Sequence, residues 1–431
     1  MKVLGRPVRL KPVIAAGLAS WMIMLSLGST AAYGEGYQGR PSTENSLGLQ
    51  VKAAILVDAQ SGQVLYGVNE DEPLPAASMT KLMTEYIVLE EISSGRLSWE
   101  EVVTTSAEAA STPPDGSSVF LAQGDQHTVL ELYKAMAVGS ANDATIALAS
   151  QISGSEQGFV EKMNEMAGTL GLPSAVFTSA TGLSETSVIS VRDMAKLARI
   201  ILTEHPEFLD YSKIQEYKFR EKDDAIVNIN WMLGTNTNQP GLKHLAYEGV
   251  DGMKTGFINS AGYNFTGTVQ RGDQRFISVV MDTATKSARF NETAKLYNYG
   301  FSTFEKKTVL PPKSVVETIQ TVQIKKGKKK SVPVVTEKDI TFMVKKGVEP
   351  QIELVKSQLK SQDELVAPIA AGTVVGTVTY KYTDAETKQS LEHTVNLVTN
   401  AEAEKAGWFR LMFRAIGDFF AGLFNGIVNL F

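Results

Sequence analysis

The chain has 431 residues, of which 43% are hydrophobic and 21% charged, so it can form more than one domain with a sizeable core. It contains no cysteine, which excludes disulfides, thiol catalysis and cysteine-ligated metals. A net charge of −5 argues against nucleic-acid binding.

Residues 1–34 have the pattern of a secretory signal peptide. A basic segment ending at Lys11 precedes an apolar run over residues 13–27, and small residues follow as far as Gly34. The apolar run is shorter than the roughly 20 residues needed to span a bilayer, which favours cleavage over an uncleaved anchor. Removing four basic and no acidic residues changes the net charge from −5 to −9. We therefore expect an exported, acidic protein, with residues 35–48 as a flexible lead.

Residues 49–305 combine strands at both ends with helices between them. Residues 51–57 and 63–68 are predicted as a hairpin, and residues 99–205 are mostly helical by their hydrophobic pattern. Strands return at 249–255, and again as a hairpin of 263–270 with 275–281. A helix over about 285–299 closes the segment. This order predicts a mixed α/β (α+β) domain.

Within this domain, a helix is predicted to begin just after Pro75, because proline suits the start of a helix and not its interior. Apolar residues from Leu82 onward recur at the spacing of one buried helical face. Ser78 then lies in the first turn, and Lys81 lies one turn later on the same side. A lysine held neutral by burial and by the helix N-terminus is a base that could activate a serine hydroxyl.

Ser-x-x-Lys is a weak signal by itself, because it occurs again at Ser357–Lys360, where nothing else indicates catalysis. Two further motifs strengthen it. Ser140-Ala141-Asn142 lies between two predicted helices, and Lys254-Thr255-Gly256 ends a predicted strand. Each of these two motifs occurs once in the chain. The four histidines are far apart and lack the spacing of metal ligands, so we expect no metal and no cofactor.

From about residue 308 the pattern changes to short alternating strands, which predicts a separate β-rich domain over residues 308–398. It contains the lysine-rich stretch 325–330. A solvated hairpin turn is the simpler interpretation of that stretch, and a contact with an anionic polymer is the alternative.

Residues 402–431 form a last, amphipathic segment. Phenylalanines and aliphatic residues from Phe409 to Leu430 fall on one helical face, and Arg410 and Arg414 lie on the other. The longest uncharged run, thirteen residues, is too short to span a bilayer. The pattern favours a helix that anchors the protein at a membrane surface. A helix docked on its own chain or on a partner is the alternative.

The three motifs, in this order, resemble those of the active-site serine penicillin-recognising enzymes. The resemblance is closest to the low-molecular-mass penicillin-binding proteins that are D-alanyl-D-alanine carboxypeptidases. It extends through Thr181-Gly182-Leu183, Val250-Asp251-Gly252-Met253 and Ala261-Gly262-Tyr263 to the β domain and the tail. It implies a β-lactamase/transpeptidase-like domain with a central antiparallel sheet and a helical subdomain.

The resemblance also implies roles for the motif residues. Ser78 would be acylated by the penultimate D-alanine of a peptidoglycan stem peptide, and by β-lactams, with Lys81 as general base. Ser140 would relay a proton to the leaving amine, and Asn142 would position the donor peptide. The N–H groups of Ser78 and Phe257 would form the oxyanion hole.

By the same resemblance, Lys254 would supply positive charge beside Ser78 and Ser140. Thr255 and neighbouring groups would hold the terminal carboxylate of the substrate, with Arg289 assisting there. Gly256 would let the strand approach the substrate closely. Some relatives carry a histidine where this chain has Phe257, a change that concerns substrate fit and pH response. The protein would act at the outer face of the cytoplasmic membrane.

Two other functions share parts of this pattern. A β-lactamase has the same three motifs, but it also needs a deacylating glutamate, and no Glu-x-x-x-Asn occurs between Ser140 and Lys254. A non-catalytic cell-wall-binding protein would not need complete motifs.

Overall fold

The computed structural model of the chain describes residues 45–113, 117–234, 240–384 and 390–428. The predicted signal peptide, and the flexible lead as far as residue 44, lie outside these residues. Residues 49–303 hold the strands and helices of the predicted α/β part, and a β-rich part follows.

The strands of the α/β part are short at the periphery and long in the centre. They are β1 Ala53–Asp58, β2 Val64–Val68, β3 Leu74–Pro75, β4 Val102–Thr104, β5 Gln126–Thr128, β6 Val188–Ile189, β7 Glu216–Tyr217, β8 Ile226–Val227, β9 Val250–Ile258, β10 Gly262–Arg271 and β11 Gln274–Thr283. The helices are α1 Lys81–Ser93, α2 Ala107–Ala110, α3 Val129–Gly139, α4 Asn142–Ser153, α5 Glu156–Thr169, α6 Val191–Glu204, α7 Phe208–Ser212 and α8 Ala288–Thr303.

Five strands form the expected central antiparallel sheet, in the order β2-β1-β11-β10-β9. Side chains alternate between its faces, so Ile55 joins the core under the helices while Leu56 joins the core against α8. Both faces are therefore covered. Strand β9 lies at the edge, where one side of its backbone remains available to a neighbouring element.

Helix α1 differs from its predicted amphipathic form. The sequence pattern indicated one buried face, but every side chain from Lys81 to Leu89 is buried, including Thr84 and Glu85. The helix runs through the interior rather than along the surface, because it lies between the sheet and the other helices. Polar side chains on such a helix need an internal role or an internal partner.

Two other helices begin at capping residues. Thr128 caps α3 through a capping box with Glu131, and Ser190 caps α6 by accepting a hydrogen bond from the Asp193 N–H. Helix α3 ends at Gly139, within the stretch 99–205 that was predicted to be mostly helical.

The described residues of the β-rich part form seven strands, namely β12 Phe304–Leu310, β13 Thr321–Gln323, β14 Ser331–Thr336, β15 Ile340–Lys345, β16 Gln351–Leu359, β17 Val374–Thr383 and β18 Ser390–Thr399. Five of them form a sheet in the order β13-β14-β18-β17-β16, and β12 pairs with β15. The Gln63 side chain exchanges two hydrogen bonds with the Met343 backbone, at 2.8 and 3.0 Å, and so joins β15 to the α/β part.

The last helix, α9, covers Trp408–Val428. Trp408, Phe409, Met412, Phe413, Ile416 and Phe420 are all exposed large apolar side chains. The predicted members of the apolar face beyond Phe420, together with Phe419 and Asp418, lie outside the side chains that the structure describes. No described helix is both long and apolar enough to cross a bilayer.

Candidate active site

The candidate nucleophile lies on a tight turn that leads into α1. Ala77–Thr80 form a 3₁₀ turn, and α1 begins at Lys81. Ala77 has φ 48°, a left-handed conformation that is uncommon for alanine. Ser78 is therefore presented at the mouth of the helix, near the position that the sequence predicted, although its turn is 3₁₀ rather than α. Its side chain is half-buried.

The Lys81 amine is held by three oxygens. Its Nζ lies 2.7 Å from Asn142 Oδ1, 2.7 Å from the Thr181 carbonyl oxygen and 3.1 Å from Ser78 Oγ. A neutral amine has two N–H donors and one lone pair. If the two shorter contacts take the two donors, the lone pair faces the Ser78 hydroxyl. The geometry thus suits transfer of the hydroxyl proton to the amine.

The electrostatic surroundings of Lys81 favour this neutral form. The side chain is fully buried, and burial, followed by the nearby charge of Lys254, lowers the pKa of the Lys81 amine well below its ordinary value. The sequence argument named burial and the helix N-terminus. In the folded protein burial is the main cause, and a second amine is the next.

The second motif joins α3 to α4. Ser140 follows the last residue of α3 with φ 59° and ψ 27°, and Asn142 is the first residue of α4. The left-handed conformation turns the chain so that Asn142 reaches Lys81. Ser140 is buried, and among the described residues its Oγ has no hydrogen-bond partner. A buried hydroxyl in this state is available to an incoming ligand.

The third motif lies on the edge strand β9, against the turn that carries Ser78. A methyl group on Gly256 would lie 2.7 Å from the Ala76 carbonyl oxygen and 3.2 Å from the Met79 nitrogen. Only glycine allows this approach. On the neighbouring strand β10, the Asn264 side chain donates a hydrogen bond to the Pro75 carbonyl oxygen at 3.0 Å. This bond also holds the turn against the sheet.

Two buried cations accompany this strand. Burial lowers the pKa of Lys254 to about 8, and Glu85 opposes the shift while Arg289 adds to it. Burial also lowers the pKa of Arg289 to about 10. The Arg289 Nη1 lies 3.4 Å from the Gly256 carbonyl oxygen. These groups give the site a positive character suited to a carboxylate.

Phe257 follows the motif and is 44% exposed. Its ring stacks on that of Tyr263, with centroids 4.3 Å apart and planes 23° from parallel. The aromatic pair supplies an apolar surface beside the motif. Thr255 is buried on the same strand.

Sequence reasoning missed two contributors to the site. One is the carbonyl of Thr181, which is close to the Ser78 turn because Gly182 packs directly on Ala77. The other is Glu85, four residues after Lys81 on α1. Burial raises the pKa of Glu85 to about 7, against the lowering effects of Lys254 and Lys81. A carboxyl one helical turn after the lysine was the available signal.

Fold and site together place the protein in the class of serine hydrolases. The family model described as D-alanyl-D-alanine carboxypeptidase matches residues 40–285, and the model of the penicillin-binding protein 5 C-terminal domain matches residues 304–405. The chain belongs to the peptidase S11 family of D-alanyl-D-alanine carboxypeptidases, as its motifs predicted. It is accordingly a serine-type carboxypeptidase.

Individual relatives agree with this assignment. The chain is 34% identical over 400 residues to the D-alanyl-D-alanine carboxypeptidase DacF of Bacillus subtilis, covering 92% of this chain and 96% of the relative. Penicillin-binding protein 5 of Haemophilus influenzae superimposes with a TM-score of 0.66 at 30% identity, covering 85% of this chain and all of that one. Penicillin-binding protein D2 of Listeria monocytogenes, in its cefotaxime-bound form, gives 0.52 at 33% identity, covering 61% and 100%.

Proposed function

We propose that Ser78 is the nucleophile that removes the terminal D-alanine from peptidoglycan pentapeptide stems. The observation that carries this proposal is the Lys81 amine, buried and 3.1 Å from Ser78 Oγ, with its other two contacts at 2.7 Å. In acylation, Lys81 takes the Ser78 proton as Oγ bonds to the penultimate D-alanine carbonyl carbon. The carbon–nitrogen bond breaks, and Lys81 returns this proton to the leaving D-alanine nitrogen through the Ser140 hydroxyl, which gives up its own proton as it accepts that of Lys81.

Water then hydrolyses the ester. Lys81 accepts a proton from the water as its oxygen attacks the acyl carbon, and Ser78 Oγ regains a proton as the shortened stem leaves. In both steps the N–H groups of Ser78 and Phe257 stabilise the oxyanion. Asn142 has two roles in the proposal, because it positions the donor peptide while its Oδ1 keeps the Lys81 amine oriented.

Recognition of the substrate rests on its terminal carboxylate. We assign this group to Lys254, Thr255 and Arg289, two of which are buried cations beside β9. Gly256 lets the backbone of the strand approach the substrate closely. The exposed Phe257 ring contacts the side chains of the substrate. β-lactams present a carboxylate next to an amide carbonyl, so the same residues would accept them.

Replacing Ser78 with alanine should abolish covalent labelling by a fluorescent penicillin, because no other hydroxyl lies beside the Lys81 amine within the described contacts. Release of D-alanine from a pentapeptide should be lost with it. Ser357→Ala is the matched control, since Ser357 begins the second Ser-x-x-Lys on the exposed strand β16. Full labelling of the Ser78 variant would refute the assignment, and D-alanine release separates a carboxypeptidase from a β-lactamase or a non-catalytic binding protein.

Replacing Glu85 with glutamine should move the alkaline limb of the penicillin acylation rate to lower pH by about one unit. The Lys254 pKa is about 8, and Glu85 opposes its lowering. Without that negative charge the Lys254 ammonium loses its proton at lower pH, and the cation that holds the carboxylate is lost earlier. Acylation rates measured between pH 6 and about pH 10 would show the shift.

Glu91→Gln is the control for this experiment. Glu91 is also buried on α1, but it pairs with Arg96 and Lys162. Its replacement should leave the alkaline limb in place, even if it costs some stability. An unmoved limb in the Glu85 variant would show that this carboxylate does not influence Lys254.

We also propose that α9 anchors the exported protein at the outer face of the cytoplasmic membrane. Support comes from its exposed row of aromatic and aliphatic side chains, which a water-facing helix would not keep. In this proposal the helix lies parallel to the membrane surface, with its apolar side buried at the boundary between headgroups and acyl chains. In this proposal residues 1–34 are the signal that exports the chain.

A chain ending at Lys405 should therefore stay in the aqueous phase, whereas the full mature chain should need detergent for extraction from membranes. The truncation removes the whole helix and leaves both folded parts intact, so penicillin labelling should be unchanged. Equal extraction of the two proteins without detergent would contradict the anchor.

A further inference from the structure

The lysine-rich turn of the β-rich part, residues 325–330, lies against the start of α9; we call it the basic turn. The Arg414 side chain donates hydrogen bonds to the carbonyl oxygens of Gly327 at 2.7 Å and Lys328 at 2.6 Å. Arg410, one turn earlier, reaches the Lys328 carbonyl oxygen at 3.4 Å. The helix is thus fixed to the turn by its polar side.

The chain just before the helix makes the same connection. The Ala406 N–H donates to the Lys326 carbonyl oxygen at 2.8 Å, and the Lys328 N–H donates to that of Glu404 at 2.7 Å. Backbone bonds on one side and arginine bonds on the other leave the turn little freedom to move relative to the first turns of α9. The two elements form one surface.

The lysines of the basic turn are not equivalent. Lys325 pairs with Asp363, and Lys328 pairs with Glu404, so their charges are largely neutralised. Lys326 and Lys329 are exposed, and neither makes an ion pair with a described residue. The fifth lysine, Lys330, is exposed but takes part in an interaction of its own. The charges of Lys326 and Lys329 therefore remain for an external partner.

The geometry places these charges near the level of lipid headgroups. At 100° per residue, Arg410 and Arg414 are centred roughly 140° around the helix from the exposed apolar row. The basic turn, which contacts the arginines, is then about one helix diameter, or ~10 Å, from the apolar side. This is comparable to the Debye length of ~8 Å at physiological ionic strength.

We propose that the basic turn and α9 form one membrane-binding surface, in which Lys326 and Lys329 contact the headgroups of anionic phospholipids. This inference rests on the proposed anchoring by α9. The apolar side of α9 alone would bind neutral and anionic membranes alike, and its two arginines are directed to the basic turn. The rest of the chain carries net negative charge, which an anionic surface repels, so a local positive site is needed to favour such a membrane.

The test uses the full mature chain and two kinds of vesicle, phosphatidylcholine alone and an equimolar mixture with phosphatidylglycerol. Wild-type protein should sediment with both, and at least about tenfold more tightly with the mixture. The double variant Lys326→Gln/Lys329→Gln should lose about tenfold in affinity for the mixture and nothing for phosphatidylcholine. Raising the salt to about 1 M should remove the difference, because the Debye length falls to ~3 Å.

The matched control is Lys356→Gln/Lys360→Gln, which removes two exposed lysines at and beside strand β16. It changes the net charge equally and should bind both vesicles like wild type. Equal binding of wild type and the basic-turn variant to the mixture would overturn the inference and leave the anchor intact. Wild-type binding to neither vesicle would overturn both proposals. Purified anionic wall polymer serves as a third probe. If the basic-turn variant loses binding to this polymer and keeps its binding to the mixed vesicles, the assignment to lipid is overturned.

Discussion

Replacing Lys81 with methionine should slow penicillin acylation by about 10³-fold while leaving the protein folded. Methionine keeps the length and the burial of the side chain and removes only the base. Two buried oxygens, of Asn142 and Thr181, lose their donor, which costs about 1–3 kcal/mol each. Part of this loss is offset because the variant no longer has to bury an ionisable amine.

The measurement is the second-order rate of labelling by a fluorescent penicillin, with thermal unfolding as the check on folding. Lys360→Met, in the second Ser-x-x-Lys, is the matched control because Lys360 is exposed. It should label at the wild-type rate. A Lys81 variant that is folded and still labels at that rate would exclude this lysine as the base.

Replacing Gly182 with alanine should lower both stability and acylation. A Cβ at this position would lie 1.9 Å from the Ala77 carbonyl oxygen and 2.8 Å from Thr80 Oγ1. Glycine also has φ +79° here, which costs alanine about 1–2 kcal/mol. The chain must move by more than about 1 Å, which takes the Thr181 carbonyl away from Lys81. We expect a loss of about 2–5 kcal/mol in unfolding free energy and about 10² in acylation rate.

Gly154→Ala separates the two causes of this effect. Gly154 has φ +80°, and nothing lies within 4 Å of a Cβ built there. The control therefore carries the backbone strain without the clash. It should lose about 1 kcal/mol and label normally. If both variants behave alike, the contact between Gly182 and the Ser78 turn is unimportant for catalysis.

Much of the fold was predictable because its elements have local causes. The antiparallel hairpins β1–β2 and β10–β11 follow from alternating residues around short turns, and the caps at Thr128 and Ser190 mark helix starts. The predicted fold class and the family were confirmed. The predicted domain limits stay a prediction, and the limit at 305–308 falls within strand β12.

The assignment of roles to the site residues also stays a prediction. The structure nevertheless brings the first two motifs into contact, because Asn142 Oδ1 is 2.7 Å from Lys81 Nζ. The third motif lies against the same turn through Gly256. The order and spacing of the motifs indicated this arrangement through family resemblance, not through any physical rule that relates residues so far apart.

Local patterns in the sequence were enough to predict most helices and strands, because hydrophobic period and capping act over a few positions. The candidate nucleophile and the chemical class came from the three motifs and their family resemblance. Tertiary structure decided the rest. It buried α1 on all sides, which made Glu85 a buried carboxyl and lowered the pKa of the Lys81 amine. It also brought the Thr181 carbonyl to that amine. Burial and proximity arise only when distant segments pack together, and they are what shift a pKa and aim a lone pair at a hydroxyl.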